Sequence, residues 1–208
     1  MIKLHSRYLI SFTIFKKDVN LQEAEEKNDE DVIALVLRDK EFFGVLIRRY
    51  ESRITNYVRR IAGGNEEMIE DIVQNIFIKA FVNINSFQKG KNFGSWLYGI
   101  AHNECIDNWR KYKKHAGNIS LESNEELLAI LASEENIEQS FIKKTQKESI
   151  NRSLEKLPAK FREVLVLKYL EDKSYEEVGY ILKKPISTVG TLLNRAKKRF
   201  KKILSENK

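Results

Sequence analysis

This protein contains little cysteine, proline and glycine and no long apolar run. Each of these absences excludes a class of structure. Its 208 residues include one cysteine, two prolines and nine glycines. A lone thiol, Cys105, excludes an internal disulfide and a cysteine-based zinc site, and its place among apolar residues predicts a buried side chain. So few prolines and glycines argue against a loop-rich or all-β chain. The three histidines lack metal-ligand spacing, so neither a metal nor a cofactor is expected.

No stretch approaches the roughly 20 apolar residues of a membrane span. The apolar segment 8–15 is short and is followed by lysines rather than by small residues at a cleavage site, so it does not predict a signal peptide. A cytoplasmic protein is expected. Charged residues make up 32% of the chain and its formal net charge is +7. That charge favours a polyanionic partner, with nucleic acid ahead of an anionic membrane surface.

Apolar residues at helical spacing predict three helices between residues 29 and 83. The first two are separated near residues 39 and 40, and glycines at 63 and 64 end the second. The third is expected from about Glu66 to Asn83. One side of it carries Asp71, Gln74, Asn75 and Ile78, one turn apart. Ile78 there indicates either a partner surface or a buried flank. Residues 1–28 show no firm period and are expected to form a poorly ordered extension.

A fourth helix is predicted from Phe93 to His115. Aromatic residues at 93, 96 and 98 open it, and basic residues from Arg110 onward close it. Aromatic rings that stack on unpaired bases, next to cations that hold phosphates, are typical of a single-strand-binding surface. The same residues also fit a core helix with a solvated basic end. The residues alone leave both interpretations open.

The segment 116–138 contains six glutamates and neither lysine nor arginine, which predicts a flexible acidic linker. A second domain is expected from 139 to 208. There Pro158 fits a first helical position, and Ser174 with Glu177 forms a capping box for a short helix. A turn at 183–185 and a helix capped by Ser187 complete a predicted helix-turn-helix.

The last helix of this motif is basic, with eight lysines and arginines and no acidic residue between 183 and 202. Such unbalanced charge favours contact with phosphates. In helix-turn-helix proteins the N-terminal part of the second helix reads base edges. The predicted reading residues are Ser187, Thr188, Gly190, Thr191 and Asn194, and the predicted backbone contacts are Arg195, Lys197, Lys198 and Lys201. A plain helical bundle is the alternative.

The two domains together resemble bacterial sigma factors of the extracytoplasmic-function group of the sigma-70 family. In the first domain the resemblance rests on the segment 71–81, on Phe93 and Trp96-Leu97, and on the segments 100–103 and 106–110. In the second it rests on Leu157-Pro158, Arg162, 167–169, 174–178, 187–191 and 195–197. These motifs occur in order between about residues 30 and 204. The expected fold is all-α, with two small helical domains joined by the acidic linker.

The resemblance implies a role for each part. Residues 29–115 correspond to sigma region 2 and residues 139–208 to sigma region 4. Asp71, Gln74, Asn75 and Ile78 are expected to bind core RNA polymerase at the clamp helices of its largest subunit. Binding and melting of the minus-10 element are expected of Phe87, Lys89, Asn92, Phe93, Trp96, Tyr98, Asn103, Asp107, Arg110, Lys111 and Lys114. The minus-35 element is expected to meet the eight residues Ser187, Thr188, Gly190, Thr191, Asn194, Arg195, Lys197 and Lys198.

Further partners implied by the resemblance are the flap of the polymerase, promoter DNA and an anti-sigma factor. The implied function is to direct core polymerase to promoters and to help melt the minus-10 element. Because the polymerase performs the chemistry, no catalytic residue is expected. A stand-alone helix-turn-helix regulator that acts without polymerase is the alternative. An enzyme acting on nucleic acid is disfavoured, since the sequence lacks a nucleophile with a base and a carboxylate cluster for a metal.

Overall fold

The computed structural model describes residues 21–116, Ile150 and 153–206. In these residues every regular element is helical, which confirms the all-α prediction. The first domain, here residues 21–116, contains α1 (Leu21–Glu26), α2 (Asp29–Arg38), a 3-10 turn (Lys40–Phe42), α3 (Phe43–Ala62), α4 (Glu66–Asn83), a 3-10 turn (Ile84–Ser86) and α5 (Phe93–Ala116). The second domain, here residues 153–206, contains α6 (Ala159–Leu165), a π-helical turn (Val166–Leu170), α7 (Tyr175–Leu182) and α8 (Ile186–Glu206).

Local signals set most helix boundaries of the first domain. Asn28 and Asn65 cap α2 and α4, each through a side-chain oxygen that accepts a backbone N–H three residues later at 2.9 Å. The chain breaks at Asp39, as predicted, because that residue leaves the helical conformation and caps the following 3-10 turn. Gly63 ends α3 with φ +65°, a conformation that favours glycine. The predicted helix from Glu66 to Asn83 is confirmed at both ends.

Helices α3, α4 and α5 bury their apolar faces against one another. Leu46, Val73 and Leu97, one from each helix, are fully buried. The last part of the extension forms helix α1, an element that the sequence did not indicate. Helix α1 buries Ala24 and is held by Arg49 of α3, whose guanidinium donates to the backbone carbonyls of residues 24, 25 and 27. Helix α1 has only six residues, which are too few for a helical period to be recognised in the sequence. Residues 1–20 lie outside the described residues.

The second domain forms the predicted helix-turn-helix, with two corrections at helix starts. Ser174 and Glu177 make the predicted capping box, and Lys183 turns the chain in the left-handed region. Helix α8 begins at Ile186 rather than after Ser187, because the Pro185 carbonyl accepts the first backbone N–H groups. Pro158 is the residue before α6 rather than its first helical residue. The acidic linker, 116–138, lies outside the described residues except for Ala116, the last residue of α5.

The two domains pack against each other. Helix α7 lies along α5, and α6 touches α3. Buried residues of both domains form one continuous apolar cluster. Within the described residues no helix is both long and apolar enough to cross a membrane. The packing therefore brings α5, which carries the predicted minus-10 residues, directly against the helix-turn-helix.

Candidate nucleic-acid and polymerase interfaces

Three aromatic rings form a cluster at the start of α5. Phe87, Phe93 and Trp96 lie 5.6–5.8 Å from one another between ring centroids, and Tyr50 of α3 reaches Phe93 at 5.4 Å. Three of these four contacts are edge-to-face and the pair Phe93–Trp96 is tilted, and such contacts stabilise an aromatic core. Phe93 is buried in it, whereas Trp96 and Phe87 are half-buried and keep part of their rings accessible.

Tyr98 does not join these rings. It follows Trp96 by only two residues, so the helical turn places its side chain on another side of α5. There it is fully buried between α3 and the second domain. Its hydroxyl donates to the carboxylate of Glu171, and its ring meets Tyr57 at 5.2 Å. Burial raises the pKa of both tyrosine hydroxyls, with the neighbouring glutamates adding to the effect. In this conformation Tyr98 and Phe93 present no surface to DNA.

The loop before α5 ends in a helix cap. The Asn92 side chain accepts from the backbone N–H of Ser95 at 2.8 Å, which fixes the first turn of the helix. Gly90 has φ +81°, and Lys89 and Asn92 are exposed on the same loop. Asn92 thus has a structural task in addition to the predicted contact with DNA.

A cavity of about 260 Å³ opens beside Trp96. It lies between the end of α4, the following 3-10 turn and the outer face of α5. Its lining residues are Lys79, Asn83, Ser86, Trp96, Ile100, Asn103 and Glu104. Trp96 and Asn103 were predicted as minus-10 residues, and the cavity brings them together. The other five lining residues were missed, because only the packing of α4 against α5 places them beside the ring.

The exposed side of α5 continues as a polar stripe. Asn103, Asp107 and Arg110 follow one another at helical spacing and are exposed, as is Lys111. Arg110 contacts Asp107 at 3.3 Å, a weak surface pair. Helix α5 includes residue 114, and the side chain of Lys114 lies outside the described residues.

The predicted polymerase-binding residues form one exposed stripe of α4. Asp71, Gln74 and Asn75 are exposed, and Ile78 leaves 51% of its surface accessible. The alternative of a buried flank at Ile78 is therefore wrong. Val82, one turn further on, is 67% exposed and was missed. Its spacing of four residues from Ile78 was the available signal. Two apolar side chains in line on a polar face indicate a contact surface.

The reading face of the helix-turn-helix points into solvent. Of the eight predicted minus-35 residues, six are exposed, and Gly190 and Lys197 are half-exposed. Lys197 places its ammonium group 5.1 Å above the ring of Tyr169. Tyr175 of α7 is also exposed and lies beside Gly190, where an added Cβ would be 3.9 Å from its ring. Tyr175 was missed, since only the packing of α7 against α8 brings it to this face.

Among the described residues, no group of three or more histidine, cysteine or acidic side chains is arranged to hold a metal ion.

Two family models match successive parts of this chain. The family model "Sigma-70 region 2" matches residues 46–115, and "Sigma-70, region 4" matches residues 147–200. The ECF RNA polymerase sigma factor SigW of Bacillus subtilis is 34% identical over 177 residues, which cover 81% of this chain and 91% of SigW. The chain belongs to the sigma-70 family.

Its relatives place it in the extracytoplasmic-function group. The ECF RNA polymerase sigma-E factor of Escherichia coli is 27% identical over 179 residues, covering 84% of this chain and 93% of the relative. Two solved structures share the fold. CnrH in complex with the cytosolic domain of CnrY has a TM-score of 0.64 at 21% identity, covering 86% and 99% of the two chains. RpoE with the anti-sigma factor NepR, from Bartonella quintana, has a TM-score of 0.61 at 24% identity, covering 80% and 98%.

Both sigma regions are thus present in order, and this chain is a sigma factor that directs RNA polymerase to promoters. The alternative of a stand-alone helix-turn-helix regulator is not favoured, because the first domain matches sigma region 2 rather than a ligand-binding or dimerising domain.

Proposed function

We propose that this sigma factor divides promoter-directed initiation among three surfaces. The exposed stripe of α4 binds core RNA polymerase. The start of α5 and the cavity beside Trp96 capture the unpaired minus-10 strand. The N-terminal half of α8 reads the minus-35 element. Each surface includes residues that the sequence assigns to the same task.

The cavity beside Trp96 is the observation that carries the minus-10 assignment. A flipped base needs one aromatic or apolar wall for stacking and polar groups for its edge. Trp96 and Ile100 supply the wall, and the amides of Asn83 and Asn103 supply donors and acceptors. The Lys79–Glu104 ion pair closes one side. Stacking contributes about 1–3 kcal/mol per base, comparable to the cost of unstacking one, so capture promotes melting without fuel.

The polymerase surface comprises the polar residues Asp71, Gln74 and Asn75 with Ile78 and Val82. Burial of two exposed aliphatic side chains favours association, and the polar groups around them give orientation. Polar side chains and cations at the start of α8 suit the major groove and its flanking phosphates. Tyr175 lies next to this face, where its ring contacts either the backbone sugars or a base methyl.

Catalysis is not part of the proposed role, because RNA synthesis belongs to the polymerase. The site of action is then the cytoplasm, where the polymerase works. An anti-sigma factor is a further proposed partner. The family resemblance supports it, and RpoE of Bartonella quintana was determined with such a protein.

Run-off transcription with core polymerase on genomic fragments tests the function and finds a promoter. On that promoter, Trp96→Ala should reduce open-complex formation on duplex DNA by about tenfold or more, the equivalent of one lost stacking contact. The same variant should recover activity on a template whose minus-10 element is already unpaired. Tyr180→Ala, an exposed aromatic of α7 away from the cavity, is the matched control and should leave both templates nearly unaffected.

If Trp96→Ala reduced transcription equally on duplex and premelted templates, the melting role would be refuted. Affinity for core polymerase, measured by labelled-sigma titration, should be unchanged in Trp96→Ala and reduced in Ile78→Ser/Val82→Ser. If the double variant binds polymerase like the wild type, the α4 surface is wrongly assigned.

A further inference from the structure

Two neighbouring residues of α3, Arg49 and Tyr50, hold the carboxylate of Asp29 between them. Asp29 is the first residue of α2. One of its carboxylate oxygens accepts from the Arg49 guanidinium at 2.7 Å, and the other accepts from the Tyr50 hydroxyl. Burial raises the pKa of this hydroxyl, with the bond to Asp29 adding to the rise, so the hydroxyl remains a donor at neutral pH. The charge-assisted bond therefore fixes the far end of the Tyr50 ring.

The Tyr50 side chain packs against the first turn of α5. Its ring meets that of Phe93 edge to face, with 5.4 Å between the centroids. A Cβ built on Gly94 would lie 3.1 Å from the Tyr50 hydroxyl and 3.1 Å from a carbon of its ring. The same Cβ would lie 3.1 Å from the side-chain oxygen of Asn92, which caps this turn. With so little space between them, Tyr50 sets where the chain enters α5.

Trp96 depends on the same turn for its position. Its ring lies 5.6 Å from that of Phe93, and Phe87 contacts both rings. Its backbone N–H donates to the Asn92 carbonyl at 3.1 Å, which places Trp96 one turn inside the capped start of the helix. A shift of this turn would move the Trp96 ring relative to α4, which forms the opposite wall of the cavity.

Arg49 extends the connection to α1. While one of its terminal nitrogens binds Asp29, the other donates to the backbone carbonyls of residues 24 and 25 at 3.1 and 3.0 Å and to that of residue 27. The last carbonyls of a helix lack partners within the helix, and a cation there also suits the helix dipole. One guanidinium therefore holds both α1 and Asp29.

We propose that Asp29 and Tyr50 are positioning residues for the minus-10 step. They hold the first turn of α5, and with it Trp96, in the orientation that captures an unpaired base, and Arg49 keeps Asp29 in place. The last part of the N-terminal extension thereby supports promoter melting. The proposal rests on the proposed minus-10 role of Trp96 and assigns the support of that ring to residues that do not themselves touch DNA.

Preorganisation explains why such support matters. A binding surface that is ordered before its ligand arrives loses less conformational entropy on binding. Without the bond between Asp29 and Tyr50, the first turn of α5 and the loop 87–92 would have to order at the moment of capture. The cost falls on promoter opening, because a closed promoter has no unpaired base to place in the cavity.

Fluorescence of Trp96 in the free protein tests the positioning without promoter or polymerase. The chain has two tryptophans, so Trp109→Phe leaves Trp96 as the single reporter. In that background Tyr50→Phe, which removes one oxygen atom, should shift the emission to longer wavelength and increase quenching by acrylamide, since a less firmly held ring meets more water. Arg48→Gln is the matched control and should change neither, because Arg48 pairs with Glu25 of α1 at the exposed surface.

The rate of promoter opening tests the effect on function, with the promoter found by run-off transcription. Tyr50→Phe and Asp29→Ala should each slow opening of duplex DNA by about threefold to tenfold, the usual size of an indirect coupling. The affinity of the holoenzyme for the closed promoter should not change. The double variant should be no slower than the slower single variant, because both substitutions remove the same bond. Asp29→Asn, which keeps an acceptor for the Tyr50 hydroxyl, should recover most of the rate.

Two results would overturn the proposal. One is Trp96 fluorescence that Tyr50→Phe leaves unchanged. The other is a Tyr50→Phe protein that opens the promoter as fast as the wild type while Trp96→Ala does not. A Trp96→Ala protein that opens the promoter normally would instead remove the minus-10 role itself, and Trp96 fluorescence would still respond to Tyr50→Phe. Circular dichroism verifies that each variant is folded, and Tyr50→Phe alone carries the test should Asp29→Ala unfold.

Discussion

Gly179 lies where the turn of the helix-turn-helix folds back on α7. The backbone N–H of Lys184 donates to its carbonyl at 2.9 Å, and a Cβ built on Gly179 would lie 2.8 Å from the Lys184 carbonyl oxygen. That oxygen belongs to the backbone and cannot move without opening the turn. A glycine here is thus required by close approach rather than by its φ angle.

Gly179→Ala should lower the free energy of unfolding by about 1–3 kcal/mol, as overpacking at a rigid contact does. The measurement is urea unfolding followed by circular dichroism. Gly99→Ala on α5 is the control, because no atom lies within 4 Å of its added Cβ. There the substitution should stabilise by about 0.5–1 kcal/mol, as alanine does in a helix. Equal effects of the two substitutions would contradict the close contact.

Cys105 is buried on α5, and burial raises the pKa of its thiol, with the charges of Glu163 and Glu104 adding to the rise. The thiolate is the reactive form. Ellman's reagent at about pH 8 should therefore label the native protein very slowly and the urea-unfolded protein at once. Rapid labelling of the native protein would show that the site opens locally.

The raised pKa of the Cys105 thiol also makes the stability of the protein fall as the pH rises. The ordinary pKa is 9.0, and the folded value is higher. Below pH 9 the thiol is neutral in both states and its contribution to stability is complete. As the pH rises toward the folded value, only the unfolded chain ionises, so this contribution is lost.

The exposed polar side chains of α8 that are proposed to contact DNA lie in its first three turns. Val189, Leu193 and Ala196 are buried against the other helices of the second domain. Thr191, Asn194 and Arg195 therefore face outward. This alternation follows directly from the helical period of the sequence. The same helix starts one residue before Ser187, because Pro185 accepts the first backbone N–H groups.

Arg195→Ala should weaken binding of the polymerase holoenzyme to its minus-35 element and reduce the salt slope of log affinity by about 1. The loss of one phosphate contact explains both effects. Arg38→Ala, an exposed cation at the end of α2, is the control. Filter binding at several salt concentrations measures the slope. A loss confined to particular base sequences, with the slope unchanged, would instead assign Arg195 to base readout.

Arg162 links elements that are distant in sequence. Its guanidinium donates to the Arg60 carbonyl in the first domain and to the carbonyls of Glu155 and Leu157 before α6, each at 3.2 Å. Burial lowers its pKa. Two terminal nitrogens, held apart by the planar guanidinium, make these three bonds, whereas a lysine would have one nitrogen to place among the three carbonyls.

Arg162→Lys should therefore lower the free energy of unfolding of the whole chain by about 1.5–3 kcal/mol, the value of hydrogen bonds to a charged group. Arg38→Lys is the conservative control and should change it little. Urea unfolding at constant pH gives both numbers. An Arg162→Lys protein as stable as the wild type would show that the fork geometry of the guanidinium contributes nothing to stability, including its one bond to the Arg60 carbonyl.

Sequence patterns predict the parts of this molecule that depend on neighbours along the chain. The break at Asp39, the end at Gly63, the capping box at Ser174 and the exposed stripe of α4 all follow from spacing and capping chemistry. The π-helical turn at Val166–Leu170 does not, since its defining bond from Glu171 to the Val166 carbonyl depends on tertiary packing. Helix α1 was missed for a similar reason, because Arg49 of α3 stabilises it.

The helices, their polar faces and the sigma regions were determined by the sequence itself, because periodicity and motifs are properties of residues close in the chain. The direction of Tyr98, the cavity beside Trp96 and the burial of Glu171 among the arginines of α3 were decided only by tertiary structure. Each of these depends on which helix lies opposite, and residues as far apart as Arg53 and Glu171 meet only after the two domains have packed.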